Sequence, residues 1–430
     1  MRVVTRRYVS AYCKHPMSAK LRSPEYLVAL VCVAQVFVQI GASFWPALLP
    51  GMIALWQLSN SEAGWITAIF FGAYMVSVPV LVTLTDRFDT RTIYLIGVAL
   101  TVSGHLLFST IADGFWSALL ARALTGVGWA GTYMTGLKLL ADQVEGKLMS
   151  RATAGHAASI GISGALSFAC ADLIANLAGW RAVFLAAAAS AALAWLLVAL
   201  AFPRHSRAKA PEPSRHALFD FRPVFRNRSA MAYALTYCIH TFEFHAVRGW
   251  GVVFLAFVAS ATGGSEFFLS PPLALTALGL IATATSVMGN EAAIRFGRRR
   301  LIAFALIASA ICAGLLGIFG PASYLFSVAL LLLYGGFISL DSASLTAGSA
   351  GSAAPQRRGA TLAVHSMLGY AGGFLGPLVV GWILDLAGGK SPASWALAYL
   401  TVASFTLMAL ILFSLMRPQE LTGDRGGQKA

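Results

Sequence analysis

Apolar residues in this chain gather into long unbroken runs separated by short polar loops, without the alternation expected of half-buried strands. A helix needs roughly 20 consecutive apolar residues to cross a bilayer core. Twelve such runs can be marked, near 27–49, 62–84, 92–111, 115–138, 152–176, 181–202, 229–259, 271–293, 301–319, 322–348, 359–386 and 394–416. The pattern predicts an all-α polytopic membrane protein with twelve transmembrane helices. The first run is too long for the apolar core of a signal peptide and reads as a retained helix.

Composition supports this and charge refines it. Of the 430 residues, 58% are hydrophobic and 11% charged, against about 25% charged in soluble domains. A net charge of +14 would suggest nucleic acid in a soluble chain. Here its distribution gives another reading. With the N-terminus inside, inside segments hold 26 of the 31 Lys and Arg, outside loops hold Arg181 and Lys390, and the runs themselves hold Arg122, Lys138 and Arg248. That asymmetry is the positive-inside rule, and it places both termini in the cytoplasm of a bacterial-type inner membrane. A nucleic-acid partner is not expected. Four cysteines lie within apolar runs and Cys13 in the N-terminal segment; their spacing matches neither a metal site nor a disulfide framework.

The chain also repeats itself. Arg87-Phe88 after the second run and Arg295-Phe296 after the eighth are 208 residues apart, as are Gly161 and Gly369 in GHAASIGISGA and VHSMLGYAGGF. Between the copies lies a Pro- and Arg-rich stretch with the composition of a linker. The expected layout is a cytoplasmic segment (1–26), a six-helix bundle (27–202), a cytoplasmic linker (203–228), a second six-helix bundle (229–416) and a cytoplasmic tail (417–430). Parallel repeats of six-helix halves characterise one transporter class, whose site lies near mid-membrane between them.

With these features the chain resembles the major facilitator superfamily. The loop VTLTDRFDTR is similar to that family's signature after the second helix: it keeps Asp86, Arg87 and Arg91 and has Val82 and Asp89 where glycines are usual. RALTGVGWAG resembles the fourth-helix signature, an arginine (Arg122) followed by spaced small residues. The resemblance implies a cytoplasmic gate at Asp86, Arg87 and Arg91 and a substrate or proton role for Arg122. The fifth run lacks the Gly-Pro pair of the family's proton antiporters, although Gly376-Pro377 occurs on the eleventh.

The remaining candidates are ionisable residues at bilayer depth, where a charge costs about 2.5–3.5 kcal/mol on the insertion scale and therefore faces a cavity or a partner. The seventh run carries HTFEFHAVRGW (240–250). At about 100° per residue and with His240 at zero, Glu243 falls near about −60°, Arg248 near about +80° and His245 near about +140°. One cavity-facing arc then holds Glu243, His240 and Arg248, and His245 points into packing. Asp341 shares its run with several Ser and Thr and can pair with RFGRRR (295–300). Lys138 reads as a snorkelling helix end beside Asp142. Braces between helices are the alternative for each of these groups.

The expected function is a secondary active transporter working by alternating access. Its substrate is a small anionic solute bound by Arg122, Arg248 and His240, with proton coupling through Glu243 and Asp341. Drug or cation efflux by proton antiport is the competing reading, with a transition-metal transporter or a non-transporting membrane sensor behind it. No GxxxxGK[ST] loop occurs, so ATP does not drive the cycle. An enzyme, a cofactor and a bound metal are not expected, and the chain is expected to act as a monomer in the bilayer.

Overall fold

The computed structural model describes residues 23–85, 87–202, 221–263, 269–354 and 357–425. The N-terminal segment 1–22, Asp86 and most of the expected linker, 203–220, lie outside them. The regular elements among the described residues are helices. In the first half they are α1 (Pro24–Gln39), α2 (Phe44–Trp56), α3 (Asn60–Leu84), α4 (Thr90–Ile111), α5 (Phe115–Ala130), α6 (Tyr133–Ala141) and α7 (Gly146–Ala201). A short α8 (Arg222–Arg226) precedes the second half: α9 (Arg228–Ala261), α10 (Pro271–Phe296), α11 (Arg298–Phe319), α12 (Tyr324–Leu340), α13 (Ser342–Gly351), α14 (Arg358–Leu386) and α15 (Pro392–Met416). This is the all-α polytopic class that the apolar runs predict.

Helix starts follow the residues. Ser23 caps α1 just ahead of Pro24, and Ser59 with Glu62 forms a reciprocal capping box on α3. Asn227 caps α9. Each satisfies amides that the first helical turn leaves unpaired.

Ten helices among the described residues are long and apolar enough to cross a bilayer, against twelve apolar runs. Both differences are local. α7 covers two runs, and its 56 residues would extend about 84 Å if straight. It turns at Gly179, whose φ of 80° is left-handed, a conformation glycine adopts without steric cost. The fourth run is split after Gly131, leaving α5 with 16 residues. At about 1.5 Å per residue that piece is shorter than the roughly 30 Å hydrocarbon core.

Two other runs are also interrupted. The first breaks at 40–43, between α1 and α2, and the tenth at Asp341, between α12 and α13. Asp341 stands at the repeat offset from Tyr133, where α6 begins, so the fourth and tenth runs break at equivalent points.

Within the halves, α1 packs on α7, α5 on α3 and α4, α9 on α14, and α11 on α15. The halves meet along α3–α14, α7–α10 and α2–α9. Backbones come close there: a Cβ on Gly64 would lie 2.8 Å from the Pro377 carbonyl oxygen, and one on Gly279 2.7 Å from Ala165 Cβ. Small residues allow this approach where lipid offers no hydrophobic drive between helices.

Candidate functional site between the halves

The break at 40–43 organises the site. Gly41 lies where α4 closes in, and a Cβ there would be 2.6 Å from His105 Nε2. A helix interruption leaves carbonyls and amides without partners in the helix, and side chains of other helices reach them. The Ser43 amide donates to Ser167 Oγ at 3.0 Å. Arg122, 2% exposed, donates from Nη1 to the Ala42 carbonyl at 3.5 Å. Arg248, partly buried, donates from Nη2 to Ser43 Oγ at 2.9 Å and to the Gly164 carbonyl at 2.6 Å. An arginine from each half thus meets neighbouring residues of one short break. Aromatic faces flank both: Arg122 lies 4.6 Å from the Phe70 ring centroid, and Arg248 5.2 Å from Phe244 and 5.4 Å from Phe168.

What surrounds these guanidinium groups is uncharged. The ion pairs among the described residues are Lys138–Asp142, His240–Asp341 and Arg298–Asp424; neither Arg122 nor Arg248 takes part in one. Arg122 Nε and the Nε2 of Gln39, the last residue of α1, are buried donors with no acceptor. Buried polar groups are normally hydrogen-bonded and buried charges paired. The break therefore gathers positive charge and donors without a matching anion. Sequence reading overlooked Gln39; an amide inside an apolar run was the available signal.

The second half holds a separate polar cluster. His240 Nδ1 lies 2.9 Å from Asp341 Oδ1, both buried, without the alignment of a hydrogen bond. The Tyr237 ring stacks on His240 and on His365, with centroids 5.4 and 4.1 Å away. His365 Nε2 lies 3.2 Å from Thr346 Oγ1. Glu243, 1% exposed, accepts from Tyr334 Oη at 2.8 Å and from Ser309 Oγ at 3.5 Å. These partners belong to α11 and α12, so Glu243 points into its own half.

The angular expectation for the seventh run is corrected here. Glu243 and Arg248 do not share an arc, because Arg248 faces the first half and Glu243 faces away from it. His245, expected in packing alone, lies at the junction of the halves, its ring centroid 4.1 Å from that of Phe71 on α3. Side chains of a long helix surrounded on all sides obey the neighbours available to each, which a single-helix projection omits. The expected partner of Asp341 is corrected as well. Instead of Asp341, Arg298 of the RFGRRR stretch binds Asp424 of the C-terminal tail at 2.8 and 3.0 Å.

Of the three residues expected at a gate, Asp86 lies outside the described residues and Arg87 is exposed. Arg91 is buried, and its guanidinium donates to the Val198 and Ala199 carbonyls at the end of α7, within the first half. Lys138 pairs with Asp142 at 3.4 Å. A junction that the sequence did not announce lies at the end opposite the arginine-rich loops. Asp385 Oδ1 accepts from Asn60 N and Nδ2 at 3.0 and 2.8 Å, and its Oδ2 accepts from Ser61 N at 2.7 Å. The carboxylate of α14 thereby caps α3 of the other half, where the helix dipole favours negative charge. At the separate α7–α10 seam, Ser270 donates to Asp172 at 3.1 Å.

A sequence model of the Major Facilitator Superfamily matches residues 31–280 and again 246–429. Human protein spinster homolog 1 is 25% identical over 314 residues, covering 70% of this chain and 59% of that protein. Protein spinster of Drosophila melanogaster is 22% identical over 284 residues, covering 65% and 47%. The chain thus spans about half the length of these relatives. Among solved structures, a bacterial homolog of the human lysosomal transporter Spinster, inward-facing and unoccupied, superposes with a TM-score of 0.72 at 14% identity, covering 91% of this chain and 96% of the other. The nucleoside transporter NupG superposes with a TM-score of 0.69 at 14% identity, covering 91% and 99%. Matched along nearly its whole length, and carrying ten helices long and apolar enough to cross a bilayer among its described residues, the chain belongs to the major facilitator superfamily.

Proposed function

We propose that this transporter moves a small anionic solute across an inner membrane by alternating access, coupled to protons, with Arg122 and Arg248 as its anion-binding pair. The observation that carries this reading is the meeting of two guanidinium groups, one per half, at the 40–43 break without a carboxylate. Arginine stays charged at any working pH, and its planar fork matches carboxylate or phosphate. An anion between the two adds charge-to-charge attraction that the neutral acceptors there do not supply, in a geometry the guanidinium fork can bind bidentately. Because Arg248 also ties the second half to Ser43 and Gly164 of the first, binding draws on contacts that hold the halves together. Ligand binding then shifts the balance between conformations through its different affinity for each.

Two buried carboxylates are available for the proton. Asp341 is the first candidate: it stands at the α12–α13 interruption against His240, so a proton taken up there changes charge where the helix is already open. Glu243, held by Tyr334 and Ser309, is the second. Since both acids are engaged within their own half, neither presents a free charge to a cationic drug, and this favours the anion over the cation reading. The arginine-rich loops are cytoplasmic, with both termini on that side. The Asp385 clamp then closes the outer end, and Asp86, Arg87 and Arg91 belong to the inner one.

Uptake by purified protein in vesicles tests the reading, using labelled carboxylates and phosphate esters beside an uncharged nucleoside and an organic cation. Accumulation of an anion under an inward proton gradient is expected. Accumulation of the cation alone, and only under an outward proton gradient, would replace this function with efflux-type exchange.

A further inference from the structure

The C-terminal tail completes a groove at the arginine-rich end, apart from the site between the halves. After α15 the chain folds back along the start of α11. The Glu420 carboxylate accepts from the Arg298 and Arg299 amides at 3.0 and 3.1 Å, Asp424 holds the Arg298 guanidinium, and the Arg425 amide donates to the Ile294 carbonyl at 3.0 Å. This leaves a cavity of about 650 Å³, lined by Phe296, Arg299, Arg300, Phe413, Glu420 and Arg425 among others. Glu420 is occupied by the helix amides. Arg299, Arg300 and Arg425 are exposed, and no ion pair among the described residues includes them.

Below this basic rim the surface turns apolar. Phe296 is 60% exposed, and Phe304, Ile307 and Ile311 continue along α11 as exposed side chains. Met408, Ile411, Leu412 and Leu415 do the same on α15, which packs against α11. Three cations at the membrane edge above an apolar seam between two helices match an amphiphile with an anionic head and acyl chains. A small soluble anion has no use for the seam. Basic residues beside the bilayer attract anionic headgroups by about 1 kcal/mol each.

We propose that this groove is a binding site for an anionic phospholipid, its phosphate held by Arg299, Arg300 and Arg425 and its chains laid along α11 and α15. The tail contributes one wall, so lipid binding also holds the tail in place.

Native mass spectrometry of the full chain, titrated with phosphatidylglycerol or phosphatidylcholine of identical chains, tests this. Phosphatidylglycerol is expected to bind with an affinity on the order of tenfold or more above phosphatidylcholine. Replacing the three arginines together (Arg299→Gln, Arg300→Gln, Arg425→Gln) should erase that preference, and Arg300→Gln alone, with thermal unfolding followed in parallel, should reduce it in a folded protein. Phe296→Ser should weaken the lipid while leaving glycerol phosphate unaffected. An equal loss on removing Arg357 and Arg358 instead would show only a diffuse basic field and overturn the site. Glycerol phosphate binding as tightly as the whole lipid would overturn it as well, in favour of a free-anion site.

Discussion

Two interrupted helices deal with their exposed backbone in opposite ways. At 40–43, neutral acceptors, the Ala42 carbonyl and Ser43 Oγ, face two arginines that have no anion. At Asp341, an acid faces His240 within its own half. The first place has cations with no acid beside them, and the second sets an acid against a histidine. An uncompensated cation pair calls for a charged ligand from outside, whereas a compensated acid–histidine contact suits a proton, whose arrival changes the balance without needing space. The difference in pairing, rather than the burial common to both, separates substrate chemistry from coupling chemistry.

The sharpest way to break this comparison is to alter the charge at the first break. Arg248→Ala should weaken anion binding by about 100-fold or more, since truncating one member of a buried charged contact costs about 2–5 kcal/mol. Arg248→Lys should retain part of the affinity, because charge remains but the fork is lost. Ser43→Asp should supply an internal anion to both guanidinium groups, abolish binding and raise the unfolding temperature. Calorimetric titration with the transported anion measures all three. Unchanged affinity in Arg248→Ala would make Arg248 a brace between the halves.

The second place is tested by charge removal with transport as the readout. In Asp341→Asn, accumulation driven by a proton gradient should fall to the level seen without one. Exchange of internal for external anion should survive, because it needs no net proton movement. Glu243→Gln should keep gradient-driven uptake, since its amide can still accept from Tyr334. The reverse pattern, with Glu243→Gln uncoupled and Asp341→Asn coupled, would move the proton site to Glu243.

A smaller effect is expected at the Asp385 clamp. Asp385→Asn keeps the shape but loses the charge that strengthens three hydrogen bonds to the start of α3. Hydrogen bonds to charged groups contribute about 1.5–3 kcal/mol each, and these do not add independently. A roughly tenfold rise in the population open at that end is expected, read from spin-label distances between the starts of α3 and α10. No change in distance would show that packing along α3–α14 closes this end by itself.

The fold was legible because membrane helices are written in composition: each apolar run is a local property, and the 208-residue offset repeats in plain view. Pairing was not legible, because it depends on which helix lies opposite. Arg122 and Arg248 stand out in sequence as charges in apolar runs, but their convergence depends on a four-residue break that apolar counting passes over, since Gly41, Ala42 and Ser43 are small and unremarkable within a longer run. Asp385, at the end of the eleventh run, drew no reading of its own, and only the approach of α3 from the other half makes it a cap. Asp424, near the chain end, gave no sign of holding Arg298, the contact that sequence reasoning offered to Asp341. Charges were found where burial is expensive; their partners were found only where helices cross.

The finest test concerns Ser43 itself. Its hydroxyl accepts from Arg248 at 2.9 Å, and it competes with any incoming anion for that guanidinium. Ser43→Ala removes a neutral acceptor and leaves the Gly164 carbonyl in place. A hydrogen bond from a charged donor contributes about 1.5–3 kcal/mol, so the variant should unfold at a lower temperature. With one competitor gone, it should bind the anion severalfold more tightly, the opposite of what losing a direct substrate contact does. Calorimetry on the same preparation gives both numbers. Weaker anion binding in Ser43→Ala would mean that the hydroxyl belongs to the ligand's own shell, and that the break contributes contacts rather than only yielding them.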